Sequence, residues 1–200
     1  MGAGNITEPL ARTRALLAAD YLRLDAAYSD LFASCSRERL VTRPAHGSWS
    51  IAECIEHVAL VNWKYLRSIK EAIAKAKPAA PEGESLLSPG GWLSAAFLKR
   101  IGPQVTLKFK APSKIRPRSI DPGQALQELL RGHAEIQTIV AAPTRLDLNR
   151  IRFTNPIFPV MRFTVSTGLL LMAAHGRRHL LQAERICKAG DSLAGQRVAE

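Results

Sequence analysis

The chain is poor in aromatic side chains and cysteines and short of acidic ones, and each shortage excludes something. Aromatics make up 6% of the 200 residues, too few for the stacking platforms of single-strand nucleic-acid binders and unfavourable for a sheet sandwich. The three cysteines, Cys35, Cys54 and Cys187, are odd in number, widely spaced and without a CxxC pair. That excludes a disulfide framework and points to a reduced, cytoplasmic protein. No segment approaches the ~20 unbroken apolar residues of a membrane span. Met1-Gly2-Ala3-Gly4-Asn5 carries neither a basic run nor an apolar core, so no signal peptide is expected. Ile6 stands where N-myristoylation needs Ser or Thr.

Basic residues are in excess. Lys and Arg number 28 against 17 acidic residues, a formal charge of +11. Such a charge suits nucleic acid or an acidic small molecule. The densest basic stretch runs from Lys99 and Arg100 through Lys108, Lys110, Lys114, Arg116 and Arg118. It is interrupted by Pro103, Pro112 and Pro117 and holds one aromatic, Phe109. It lacks a recognition-helix pattern, and a solvated connector is the expectation.

Abundant alanine and leucine favour helix, and four amphipathic segments cover most of the chain. The first is expected from about Thr7 to Cys35, on a stripe of Leu10, Leu17, Tyr21, Leu24, Tyr28 and Leu31. The second opens at Ser50, where Glu53 completes a capping box and Trp49 is placed to staple onto Cys54. Its stripe continues through Ile51, Ile55, Val58, Tyr65, Leu66, Ile69 and Ile73, with His57 on the flank. A long crossover from Lys77 to about Asp121 follows, with a short helix expected at Trp92 to Lys99 and an extended piece at Val105 to Phe109. The third helix starts at Asp121-Pro122 and buries Leu126, Leu129, Leu130, His133, Ile136 and Val140. A proline-punctuated loop leads to the fourth, about Thr164 to Lys188. One domain over 1–188 is expected, with 189–200 a flexible tail.

The chemistry concentrates in Ala174-His175-Gly176-Arg177-Arg178-His179. Imidazoles four residues apart share a helix face and can reach one point. A first-row metal needs two or three such neutral nitrogens at about 2.0–2.1 Å, and His57 is the natural third. Core histidines satisfied by hydrogen bonds are the plainer alternative for the pair, and a half-exposed surface position is the alternative for His57. This is not the HExxH of a zincin, because Gly176 stands where the general-base glutamate would be. Gly176 is read as permitting close approach of a helix or ligand.

The other candidates have quieter readings. His133 is a core histidine or a support behind the ligands, and His46 lies in an exposed loop. Cys54 lies one turn before His57 but is read as a small buried residue rather than a ligand. Arg177 and Arg178 are expected in solvent, and Glu56 on another face from His57. No residue stands out as a general base.

Gly47-Ser48-Trp49-Ser50 opening a helix, then His57, then His175-Gly-Arg-Arg-His179-Leu-Leu-Gln182 on the last helix together resemble the DinB-like superfamily, from about Leu10 to Ile186. The resemblance implies an all-α, four-helix up-down-down-up bundle with a long crossover between helices 2 and 3. It implies that His57, His175 and His179 bind a divalent metal, often zinc or nickel. Family members with known activity include thiol-dependent enzymes using bacillithiol, mycothiol or glutathione, so a low-molecular-weight thiol is an implied cosubstrate. Thiol S-transfer is therefore the first expectation and hydrolysis the second, on a small anionic or thiol substrate. A non-catalytic structural or sensing bundle is the alternative, and nucleic-acid binding the third. No membrane partner is expected, and a homodimer stays open.

Overall fold

A computed structural model describes residues 10–78, 86–103, 110–142 and 146–197, with side chains described as far as residue 189. The elements are helices α1 (Arg14–Ser34), α2 (Arg37–Val41), α3 (Ile51–Ala74), α4 (Trp92–Ile101), α5 (Pro122–Ala141) and α6 (Val165–Arg197). A 3₁₀ turn (Ser113–Ile115) and strands β1 (Arg152–Thr154) and β2 (Arg162–Thr164) complete the set. The chain is mostly helical. Its four long helices, α1, α3, α5 and α6, share one core, in which α1 and α3 each pack on both α5 and α6.

Helix starts follow the local chemistry. Thr13 caps α1 by accepting from the Leu16 N–H at 3.1 Å, so the helix begins at Arg14 rather than near Thr7. Thr7 lies outside the described residues, and Leu10 precedes the helix instead of joining its stripe. The intervening Arg12 forms an antiparallel bridge with Leu87. Both halves of the capping box at α3 are formed: the Glu53 N–H donates to Ser50 Oγ, and the Ser50 N–H donates to Glu53 Oε2. At α5 the Asp121 carboxylate accepts from the Gly123 and Gln124 N–H groups, with Pro122 at the first helical position.

Other features depart from the sequence reading. Ser36 caps the short α2, a helix between the first two expected ones to which the sequence reading assigned no element. The fourth helix continues past Lys188 to Arg197. The proline-rich loop contains the β1–β2 hairpin, in register Phe153↔Phe163. Asn155 turns the chain there by accepting from the Ile157 and Phe158 N–H groups. The expected extended piece from Val105 to Phe109 lies outside the described residues.

Two tyrosines clip α1 to α6. Tyr21 Oη donates to the Leu169 carbonyl at 3.1 Å, and Tyr28 Oη to the Gly176 carbonyl at 2.7 Å. Both are fully buried, so their hydroxyls need those partners. Tyr28 thereby fixes the backbone between His175 and His179. At the other end Phe153 packs edge-on to Tyr65 and presses on α6, where a Cβ on Gly168 would lie 2.8 Å from Phe153 Cζ. Among the described residues no helix is long and apolar enough to cross a membrane.

Candidate metal centre

The first half of α3 is unusually deep. Every residue from Ile51 to Ala59 is buried, including Glu53, Glu56 and His57. Such depth needs a cover, and the basic connector supplies it. Residues 115–120 lie over α3, and the Ile115 carbonyl accepts from His57 Nδ1 at 2.7 Å. Glu56 accepts from three successive N–H groups, those of Arg118, Ser119 and Ile120. Ser119 has a φ of 59°, a left-handed backbone that costs a non-glycine residue energy. Glu56 holds its N–H while Glu53 accepts from its hydroxyl at 3.1 Å.

Glu56 takes partners different from those of His57, yet both act on the same covering segment. Glu56 fastens the segment that orients His57. The connector is likewise more than a solvated strap, since Lys114 Nζ donates to the Pro156 carbonyl at 2.6 Å. A signal for this was present: two glutamates within the apolar turns Ile51-Ala-Glu-Cys-Ile-Glu-His-Val-Ala59 cannot be buried without donors. Burial by itself would raise the Glu53 carboxyl. Hydrogen bonds from Arg43, the Ser50 N–H and Ser119 outweigh it and bring the carboxyl below its usual range.

From α6, His175 and His179 project towards His57. Ring centroids are 5.0 Å apart for His57–His175, 4.7 Å for His57–His179 and 4.5 Å for His175–His179. One ligand nitrogen from each lies within 4.8 Å of the others, so the three form a group able to hold one metal ion. His57 and His179 are buried and His175 half-buried. The His179 Nδ1 hydrogen-bonds Gln182 Oε1 at 3.0 Å, one turn further along the helix. With Nδ1–H donated to a carbonyl in His57 and to an amide oxygen in His179, each ring keeps a lone pair on Nε2. His175 Nδ1 is buried with no hydrogen-bond partner, an orphan that an ion would satisfy.

Electrostatics agree with that donor set. Burial lowers His57 to about 4 and His179 to about 3. His175 falls well below its ordinary value through burial, reinforced by His179, His57 and Arg178. Near neutral pH all three rings are uncharged, the form that ligates metal.

The remaining candidates sort clearly. Trp49, just before the α3 cap, lies with its ring 4.6 Å from His57 and 5.8 Å from His179, so that it also forms a wall of the cluster. Cys54 is fully buried, is absent from the histidine group, and has its thiol pushed up to about 12 by burial. His133 stands elsewhere in the core, its Nδ1 2.5 Å from Asp25 Oδ1. His46 is exposed. Arg177 and Arg178 are half-buried rather than solvated: Arg177 pairs with Asp20 at 3.3 Å, and Arg178 donates to the Arg100 carbonyl. Gly176 approaches α1 and α3, but an added Cβ would make only ordinary contact, 3.5 Å to Leu24 and 4.0 Å to Val58.

Helices around a three-histidine group able to hold a metal ion define a broad class of helical protein, and comparison with known proteins narrows it. The sequence profile of the DinB superfamily matches residues 21–183. The chain belongs to that superfamily. It is also 34% identical over 106 residues to the phosphoribosylformylglycinamidine synthase subunit PurL of Chlorobium luteolum (strain DSM 273 / BCRC 81028 / 2530). The corresponding protein of Chlorobium chlorochromatii (strain CaD3) is 33% identical over the same length. Those matches take in 52% of this chain and 14% of each relative. No solved structure matches.

Proposed function

We propose that the chain is a divalent-metal-dependent enzyme on an up-down-down-up four-helix bundle, with His57, His175 and His179 holding zinc or nickel. The observation that supports this most strongly is the convergence of three neutral imidazoles in which two Nδ1 atoms are already engaged away from the centre. Three protein ligands leave a coordination position open, as catalytic sites do and closed structural sites do not. Among the described residues the group contains no fourth ligand.

A bound ion would supply Lewis acidity, lowering the pKa of a thiol or water. The chain's own residues do the positioning. Ile115 and Gln182 hold the tautomers and orientations of His57 and His179. Trp49 flanks both rings with an apolar wall. The substrate class proposed is a small electrophile taken by a low-molecular-weight thiol, with hydrolysis as the second reaction type. The reading is tested by turnover of glutathione with 1-chloro-2,4-dinitrobenzene on nickel- or zinc-loaded protein. Turnover that disappears with chelator and in His57→Ala supports it. A rate indifferent to both overturns it.

A structural or sensing role is the second reading, favoured by the burial of His57 and His179 behind Trp49. It requires a metal that no added thiol or cyanide can reach. Nucleic-acid binding rests on net charge alone and requires affinity that survives physiological salt.

A further inference from the structure

Away from the histidines, Cys35 and Cys187 are 152 positions apart in sequence, yet their Sγ atoms are 2.9 Å apart. That is within about 1 Å of the ~2.05 Å disulfide bond. We infer that Cys35 and Cys187 form a redox modification site, two thiols that close reversibly into a disulfide joining the end of α1 to the C-terminal part of α6.

The surroundings support closure. Both cysteines are partly exposed, so a small reagent can reach them. Cys35 is the C-cap of α1, in extended backbone (φ −109°, ψ 137°) with its N–H donating to the Phe32 carbonyl. Cys187 is carried on α6, where Arg39 of α2 donates to the carbonyls of Ile186 and Cys187. The two sulfurs are thus held by anchored backbone on each side. Cys54 offers an internal contrast: it is fully buried, with a thiol pushed up to about 12 by burial, and so is shielded from the same reagent.

The oxidant is a low-molecular-weight disulfide. One cysteine thiolate attacks a sulfur of the reagent, breaking its S–S bond, forming a mixed disulfide and releasing one reagent thiolate. The second cysteine thiolate attacks the protein sulfur of that mixed disulfide and releases the other. Two electrons pass from the protein sulfurs to the reagent, and the two cysteine protons end on the two released thiols. The product closes a loop over most of the chain, which restricts the unfolded state.

The test uses the intact wild-type chain and oxidised glutathione. Thiols titrated in denaturant should fall from three to one, and peptide mapping should find Cys35 linked to Cys187. The thermal midpoint should rise by roughly 5–15 °C and return on adding dithiothreitol. Cys35→Ser and Cys187→Ser should each stop at a glutathione adduct without the rise, while Cys54→Ser behaves as wild type. Mapping on wild type decides the matter whether or not the variants fold. Glutathione adducts without the internal link, a link that includes Cys54, or dimers joined through Cys35 or Cys187 would overturn the assignment.

Discussion

Two regions of the core hold buried histidine, and they hold it differently. His133, on α5, gives its Nδ1 to the carboxylate of Asp25, which also accepts from Gln137 at 3.1 Å. Its ring neighbours are Tyr21 and Tyr28, and no second histidine is among them. The cluster on α3 and α6 has neutral acceptors instead, a backbone carbonyl for His57 and an amide oxygen for His179. The Asp25 carboxylate tethers His133 between α1 and α5, with no other histidine facing it. A neutral acceptor fixes the tautomer of His57 and of His179 and leaves each Nε2 with a lone pair, and with His175 facing them the three rings make a donor set. Burial alone separates neither case, since His57 and His133 are both nearly inaccessible.

The largest expected effect comes from removing donors. His175→Ala/His179→Ala should lower metal affinity by more than the ~10–100-fold typical of losing a supporting partner, as read by metal titration. His133→Ala should leave that affinity unchanged and cost about 2–3 kcal/mol of stability in urea, by opening a cavity and removing the partner of Asp25 Oδ1. If His133→Ala abolished metal binding, the contrast between the two regions would collapse.

Next is pH. In metal-free protein, the unfolded imidazoles take up protons near their ordinary value of 6.5, whereas His57 and His179 resist until about 4 and about 3. Their contribution to stability is therefore whole above pH 6.5 and is lost as the pH falls below it. Between pH 6.5 and 4.5, above the ordinary range of Glu53, urea midpoints of the wild type should decline, and those of His175→Ala/His179→Ala should decline less. Equal slopes would show that the cluster's burial does not govern acid sensitivity.

Gln182→Ala sharpens the picture of support. It should weaken metal binding by roughly 10-fold with little change in thermal midpoint, because it removes only the acceptor that orients His179.

The smallest contrast lies along α6 itself. Gly168→Ala should destabilise by about 1–3 kcal/mol, since its Cβ would meet Phe153 and Ile69 at 3.1 Å or less. Gly176→Ala should be within about 1 kcal/mol of neutral, helix propensity favouring alanine and the space being adequate. Paired thermal melts decide it.

Much of this was legible from residues close in sequence. Ser50 with Glu53, Asp121 with Pro122, and the spacing of His175 and His179 are local patterns, and each did in the structure what its local chemistry requires. What escaped depends on chain returning from a distance. Glu56 is a surface-type residue until residues 118–120 arrive over it. Trp49 reads as a helix staple alone until α6 brings His179 alongside. Asp25 pairs with a histidine 108 positions away, and Arg177 with Asp20 across 157. The hairpin was hidden because its strands are three residues each, too short for alternation to register.

The central claim is that His57, His175 and His179 together hold one ion, and metal content tests it most directly. The wild-type chain, purified without a metal-affinity tag, should carry or take up about one zinc or nickel ion per chain. His57→Ala and His175→Ala/His179→Ala should carry none, and His133→Ala should match wild type. A wild-type chain that binds neither metal, or a His57→Ala chain that binds as well as wild type, would contradict the account.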